Sequence, residues 1–242
     1  MKNYLAVTCC LLFLFISCKK SPTDSSSETI IGSGNLVTQV LQLALFHSVD
    51  LKTVGKVNIT QGNAQEISIT ISDNLLEYIQ TIVSNGLLTI DVEPGKRFSN
   101  FDLTVNLTMT DLEELSNSGA GSINGINLLK VDSLRVSLDG TGNINLQIGT
   151  DQVESSLSGA GNIVLSGTSN TQQIELSGAG SLQAFDLTTE TTTIILSGAG
   201  KVEVSVYQMM DVTISGAGSV YFKGSPTIIQ NITGPGSLVN AN

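Results

Sequence analysis

Apolar and polar residues alternate along most of the second half of the chain. Between Val212 and Phe222 every second position is apolar, and Gly216 and Gly218 keep the same phase. Residues 136–146 and 157–165 show the same alternation. Period-two alternation predicts strands with one buried face. Each unit is therefore predicted to be a strand, a glycine corner and a further strand.

The glycine corner is Ser-Gly-Ala-Gly or a close variant, and it recurs seven times at intervals of 18 to 21 residues. So regular a period indicates a repeat architecture. A glycine on the inward side of a bent strand lets the backbone turn where a Cβ would collide with the core or the next coil. The predicted structural glycines are Gly119, Gly121, Gly140, Gly142, Gly159, Gly161, Gly178, Gly180, Gly198, Gly200, Gly216, Gly218, Gly234 and Gly236.

The repeat length selects the fold. One coil buries too few aliphatic side chains to offset its ordering entropy, so the coils must stack and pair with one another. Propeller blades need about 40–45 residues, and the pattern of leucine-rich repeats is absent. A left-handed helix of hexapeptides has coils of similar length, but no six-residue subdivision is visible. We therefore predict an all-β protein, a right-handed parallel β-helix with coils of about 18–21 residues.

Residues 31–117 form a different, β-rich part of the predicted body, continuous with the solenoid of residues 118–242. Asn85-Gly86 lies between two alternating segments, 79–83 and 87–92, and predicts a hairpin. Residues 74–79 predict a short helical turn capped by Ser72 or Asp73. This part is expected to close one end of the solenoid, because an open end exposes unpaired strand edges. The other end shows no obvious cap, which favours self-association there.

The N-terminus predicts export. Lys2 precedes a short apolar stretch, and residues 15–18, Phe-Ile-Ser-Cys, resemble a bacterial lipobox. Residues 1–17 are thus predicted to be a lipoprotein signal peptide, Cys18 the lipidated residue, and residues 18–30 the lipidated cysteine and a flexible tether. An ordinary secretory signal is the alternative. Cys9 and Cys10 would be removed with the signal, which excludes disulfides and thiol catalysis.

Charge and composition exclude several functions. The formal net charge is −10, and no basic stripe offsets it, so nucleic-acid binding is excluded. His47 is the single histidine, and without a cysteine or second histidine beside it we predict a structural role and neither metal nor cofactor. Asp139 replaces the serine of a corner and lacks the acidic neighbours of a calcium loop.

Enzymatic chemistry has weak support in the sequence. Glycosidases and lyases on β-helices need clustered carboxylates, whereas Glu154, Glu175, Glu203 and Asp211 are scattered among repeats. A compact mixed-charge group, residues 130–135, is typical of a solvated loop. Aromatic residues that could stack on a sugar are few: Phe185, Tyr207, Tyr221 and Phe222, the last predicted to be core. The prediction is that the protein is not an enzyme.

Several of these motifs together resemble the head GIN domain family of Bacteroidetes. They are the lipobox, the strand at 46–51, the residues 74–76 and 85–90, and the repeated Ser-Gly-Ala-Gly corners, over roughly residues 36–225. The resemblance implies an all-β body on an envelope lipoprotein, of a family labelled as auto-transporter adhesins. We expect a cell-envelope, outer-membrane lipoprotein, held in the membrane by its lipid, that acts as a non-catalytic adhesion or interaction module for a protein or glycan. A periplasmic structural role and a polysaccharide-active enzyme are the alternatives; the side of the membrane and a homo-oligomer stay open.

Overall fold

The computed structural model describes residues 29–242, which form twenty strands and one 3-10 helix, Asp73–Tyr78. The strands are β1 (Thr29–Ile31), β2 (Leu36–Leu41), β3 (Ser48–Leu51), β4 (Lys56–Gln61), β5 (Glu66–Ser72), β6 (Ile79–Ser84), β7 (Leu87–Val92), β8 (Arg97–Ser99), β9 (Thr104–Met109), β10 (Glu114–Asn117), β11 (Ser122–Gly125), β12 (Leu129–Lys130), β13 (Ser133–Leu138), β14 (Asn143–Leu157), β15 (Asn162–Leu176), β16 (Ser181–Leu196), β17 (Lys201–Ile214), β18 (Ser219–Lys223), β19 (Thr227–Ile232) and β20 (Ser237–Asn240).

The chain winds into a parallel β-solenoid of about seven turns, which confirms the predicted all-β, parallel β-helix. Each coil pairs in parallel with the next: β14 with β15, β15 with β16, and β16 with β17. Strand β17 then pairs with both β18 and β19. The sequence predicted two short strands per repeat, yet β14 to β17 each run for 14 to 16 residues. The β conformation therefore continues around most of each coil and is interrupted at the glycine corner.

The coils are not identical in length, and the differences are absorbed in one arc. The register between β15 and β16 shifts after Val164, and that between β16 and β17 shifts after Ala184 and again after Thr189. Strand β16 thus carries extra residues between Ala184 and Thr188, and strand β17 carries one extra residue between Val206 and Met209. All three shifts lie away from the glycine corners, whose spacing along the solenoid axis stays regular.

The core is a set of inward-facing columns. One column runs from Ile144 through Ile163, Leu182 and Val202 to Val220, with each residue in register with the next and none exposed. A second column, of leucines, follows Leu138, Leu157, Leu176 and Leu196. Burial of each such side chain contributes about 1.5–3 kcal/mol, so the stacked coils stabilise one another.

The N-terminal part extends the same ladders and then closes the end. Strand β3 pairs with β10 and β7, and β4 pairs with β11 and β9. The predicted hairpin is confirmed: β6 and β7 are antiparallel, and Asn85 and Gly86 adopt φ of 50° and 77°. The predicted helical turn is the 3-10 helix, which links β5 on one face to β6 on the other. Its Leu75 is fully buried, so the helix plugs the core at this end.

The described residues begin at β1, which pairs in parallel with β8. Thr29 and Ile30, expected in the tether, therefore belong to a strand, because Ile30 packs against the core. The predicted signal peptide, Cys18 and residues 19–28 of the tether lie outside the described residues. Within residues 29–242, no helix has the length and apolar character needed to cross a membrane.

Candidate functional site

The glycine corners stack directly upon one another. The amide of Ala160 donates to the carbonyl oxygen of Gly140, and that of Asn162 to the carbonyl of Gly142, both at 3.2 Å. A Cβ added at any of the fourteen corner glycines would collide with the preceding coil. None of the fourteen has a positive φ. Close approach of backbones, and not a left-handed conformation, is therefore what demands glycine at these positions.

Polar side chains bind the corners together on the outside and, at one coil, on the inside. Ser158 donates to the Asp139 carboxylate at 2.6 Å, so Asp139 acts in the corner ladder, in the place where other corners carry serine. Asn117 occupies the leucine column, is fully buried, and donates to the carbonyl of Gly121 at 2.9 Å. These contacts make the corners a structural spine and offer no reactive group.

One outer face carries a row of polar residues in register, which we call the charged row. It consists of Glu114, Arg135, Glu154, Gln173, Thr193 and Asp211, each paired with the next across neighbouring coils. Residues 19 or so apart in the sequence thus become neighbours at the about 4.8 Å spacing of paired strands. The scattered carboxylates of the sequence are partly gathered by this stacking.

A shallow groove of about 260 Å³ runs beside the charged row, and we call it the arginine groove. Its lining side chains include Arg135, Glu154, Gln173, Glu175, Thr193 and Ile195. Ile195 is 48% exposed, an apolar side chain set among polar ones. A second depression, lined in part by Asp111, Glu113 and Asp132, meets the groove at Arg135 and Glu154. The groove is open and elongated, and so differs from the enclosed pockets that hold small molecules.

Two of the three charged side chains in the groove, Arg135 and Glu154, are paired with each other. Arg135 Nη2 and Nε donate to Oε2 of Glu154 at 3.0 and 3.2 Å. Gln152 donates to the other carboxylate oxygen, Oε1, at 3.0 Å. Both oxygens of Glu154 therefore accept hydrogen bonds already.

The remaining sequence candidates lie apart from the groove or in its outskirts. Glu203 forms an ion pair with Lys201, whose Nζ lies 2.7 Å from Oε1 of Glu203. Both residues lie in the half of β17 that pairs with β18, away from the charged row. Asp211 belongs to the charged row, three coils from Glu154. Lys130 ends β12, where its backbone amide bonds to Gln61 at 2.8 Å. Of the mixed-charge group at 130–135, Arg135 and Asp132 reach the two depressions and Lys130 does not line the arginine groove.

His47 has a partner that sequence reasoning missed. Its Nδ1 lies 2.9 Å from Oε2 of Glu113, and both side chains are about half exposed. The ring also lies against Gly86 in the hairpin turn, where a Cβ would collide with Nε2. His47 thus links the hairpin to the segment before β10. Across residues 29–242, no three His, Cys, Asp or Glu side chains gather in a way that could hold a metal ion.

The four aromatic residues of the repeats that the sequence singled out do not form a platform. Phe222 is 7% exposed, in agreement with its predicted inward phase. Lys201 lies 5.6 Å from the ring of Tyr221, and Lys223 lies 4.4 Å from that of Phe185, so each of these rings has a cation over it. Tyr207 is 63% exposed near the arc of register shifts. A sugar ring would therefore find isolated aromatic side chains here.

Gln173, Thr193 and Ile195 were not singled out from the sequence. Their membership of the groove depends on which residues of successive coils face one another, and this register follows from the stacking. The signal in the sequence was the constant number of residues between each row member and the glycine corner of its repeat. Residues at the same distance from their corners lie in one row on the outer face.

Comparison with known proteins identifies the family. A family model described as "putative auto-transporter adhesin, head GIN domain" matches residues 45–226. The chain belongs to this family. Its membership indicates an envelope or surface-associated protein. A search of curated proteins finds no match.

Solved structures share the fold of this head GIN family member. A putative adhesin from Bacteroides fragilis superposes with a TM-score of 0.82 at 26% identity, over 87% of this chain and 99% of the other. A protein from Parabacteroides distasonis, described as a putative lipid binding protein, gives a TM-score of 0.75 at 24% identity, over 89% and 100%. A putative adhesin from Parabacteroides merdae gives 0.70 at 21% identity, over 88% and 99%. The last two likenesses show the common fold.

Proposed function

We propose that this head GIN family member is a lipid-anchored protein of the outer membrane whose solenoid acts as a non-catalytic adhesion or interaction module. Residues 1–17 are the signal peptide, Cys18 carries the lipid, and the segment up to β1 is the tether. Membership of a family described as adhesins supports the binding role. The anchor is supported by the lipobox-like residues 15–18 and by the way that multiple acyl chains hold a protein in a bilayer.

The arginine groove is the observation that carries this proposal. The charged row continues across six coils, and the groove beside it combines an exposed ion pair with amide, hydroxyl and isoleucine side chains. Such a surface makes many shallow contacts along the solenoid axis. Extended ligands, a glycan chain or a segment of a partner protein, have the shape to use it, whereas a small molecule needs an enclosed pocket.

The paired state of Glu154 supports a role without catalysis. Hydrolysis of a glycosidic bond requires two carboxyl groups flanking the bond, one of them protonated. Glu154 is engaged by Arg135 and Gln152. Glu175 lies in the same groove, but the charged-row positions that follow Glu154 are Gln173 and Thr193, and neither of these carries a carboxylate. The groove therefore suits recognition better than bond cleavage.

The binding role is tested with full-length protein displayed on beads and incubated with a panel of envelope and host polysaccharides and cell-surface extracts. Ile195→Arg places a bulky cation in the groove at a half-exposed position, so the fold should survive while ligand retention falls. Ile126→Arg is the matched control, because Ile126 is 60% exposed and lies outside the groove. Equal retention by the two variants would remove the groove from the proposal, and release of cleaved polysaccharide would refute its non-catalytic character.

The anchor and its side are tested in cells. Radiolabelled palmitate should be incorporated into the full chain and not into Cys18→Ala. Protease added to intact cells should degrade a body that faces outward and spare one that faces the periplasm. Labelling of the Cys18→Ala chain would contradict the lipid anchor, and protection of the body would favour the periplasmic structural role over adhesion.

A further inference from the structure

The C-terminal end of the solenoid presents open strand edges. In the described residues, β19 pairs with β17 alone and β20 with β18 alone. The opposite edges of both strands therefore carry backbone N–H and C=O groups with no strand beside them. All six residues of β19 are exposed, and they include Ile228, Ile229 and Ile232 at 36%, 54% and 39%. An edge of this kind is a template for pairing with another chain.

The core columns also reach this end without a cover. Ile228 follows Met210, Gln230 follows Val212 and Ile232 follows Ile214 in register. Met210, Val212 and Ile214 are fully buried, so the three residues that follow them point along the inward phase of the last coil. At the other end of the solenoid, the 3-10 helix buries its Leu75 in the core. The two ends therefore differ in how they treat the core.

The last coil also carries no charged side chains. Residues 224–242, which we call the terminal coil, contain no Asp, Glu, Lys, Arg or His, in a chain whose net charge is −10. Edge strands that must stay single normally carry lysine or another charge as a guard. The sequence of β19, Thr-Ile-Ile-Gln-Asn-Ile, instead combines high β propensity with no charge. Two terminal coils can approach each other without bringing the acidic side faces together.

We propose that the terminal coil is a self-association surface on which a second copy of this chain docks end to end. Identical edges meet through a two-fold axis, which pairs β19 antiparallel with β19 of the other copy. Inward residues must face inward residues across the pair. The register centred on Gln230 satisfies this condition: Ile228 of each copy lies opposite Ile232 of the other, and the two Gln230 side chains meet.

This register is self-complementary. Apolar side chains oppose apolar ones, and the carboxamide of Gln230 has both a donor and an acceptor to offer its counterpart. Shifting the register by two residues would place Gln230 against Ile228, an amide against a hydrocarbon. The terminal coil, residues 224–242, also approaches the about 20–30 residues that each partner contributes to a standard interface. The two-fold contact closes on itself, so it gives a dimer and no filament.

The experiment uses the full chain, purified in density-matched detergent and examined by sedimentation velocity over a range of concentrations. The wild type should show a monomer–dimer equilibrium. Gln230→Glu and Gln230→Lys each place two like charges opposite each other and should weaken dimerisation by at least about tenfold. A mixture of the two variants should form a heterodimer, because the charges then attract. Gln183→Glu and Gln183→Lys, on an exposed side position, are the matched controls and should dimerise as the wild type does.

Four outcomes would overturn the proposal. A wild type that stays monomeric at every concentration would show that the open edge binds no second copy. Dimers that persist in both Gln230 variants would show that the contact lies elsewhere. Loss of these dimers in Ile82→Lys, a change at an exposed site on β6, would locate the contact at the other end of the solenoid. Species that grow beyond the dimer would indicate head-to-tail stacking. A Gln230 mixture that does not dimerise would exclude the two-fold register.

Discussion

The close approach of successive coils can be tested at Gly161. A Cβ at this position would overlap the carbonyl oxygen of Gly142 and lie 2.9 Å from Cδ2 of Leu138. The Gly142 carbonyl accepts the ladder hydrogen bond from the amide of Asn162. Gly161→Ala therefore forces the two coils apart at the point where their backbones bond. The neighbouring atoms belong to backbone and to a buried leucine, so neither can move away cheaply.

The cost follows from these contacts. Overpacking a filled core costs about 1–3 kcal/mol, and loss of a ladder hydrogen bond adds about 1 kcal/mol. Gly161→Ala should thus lower the free energy of unfolding by about 2–4 kcal/mol. Gly149→Ala is the matched control, because its Cβ would find its nearest neighbour, Cδ1 of Leu128, at 3.9 Å, and its φ is not positive. With that space, alanine restricts the unfolded chain and should stabilise by about 0.4–1 kcal/mol.

Urea unfolding of the full-length variants, followed by far-ultraviolet circular dichroism, measures this difference. The midpoint should fall for Gly161→Ala and stay level or rise for Gly149→Ala, with similar slopes. Equal midpoints for the two variants would refute the reasoning that steric contact between coils selects glycine at the corners.

Three further predictions concern single side chains. Gln172 is 1% exposed and its side-chain amide has no hydrogen-bond partner. Gln172→Leu should therefore raise the unfolding midpoint, by a free energy of unfolding of about 1–3 kcal/mol. Gln173→Leu, on the outer face, should not raise the midpoint, and a lower midpoint for Gln172→Leu would refute the prediction. The Arg135–Glu154 pair is exposed, so a double-mutant cycle with Arg135→Gln and Glu154→Gln should give a coupling energy under about 1 kcal/mol. A larger coupling energy would contradict the description of this pair as solvent-exposed. Hydrogen bonds from two side chains and a backbone amide lower the pKa of Asp73 below its ordinary 3.8. Its carboxylate therefore stabilises the fold above about pH 4 and loses this effect as pH falls through the folded pKa. Asp73→Asn should be less stable than the wild type at pH 7 and should approach the stability of the wild type near pH 2. A stability difference that does not change with pH would contradict the assignment.

The spacing of the glycine corners was enough to predict the solenoid. Only glycine avoids the collision between the backbones of neighbouring coils. The same requirement applies at each coil, so the glycines recur at a regular spacing in the sequence. The hairpin at Asn85-Gly86 was predictable for a similar reason, because a turn with positive φ restricts the residue types that fit.

The site was harder to predict than the fold. Glu154 and Arg135 are neighbours only because β13 and β14 pair with a particular register. The extra residues of β16 alter the register between β16 and β17 in one arc, and no residue in the sequence marks where they are accommodated. The partner of His47 was missed because Glu113 follows a long excursion of the chain through β3 to β9.

The arc of register shifts gives the solenoid a place to vary. Because β16 can hold extra residues between Ala184 and Thr188 while its glycine corner stays in line, insertions in this arc leave the stacking intact. Exposed side chains such as Tyr207 and Glu190 lie in the same region. A lineage could therefore lengthen this segment into loops of new specificity, or an engineer could graft a peptide there, while the rest of the scaffold keeps its geometry.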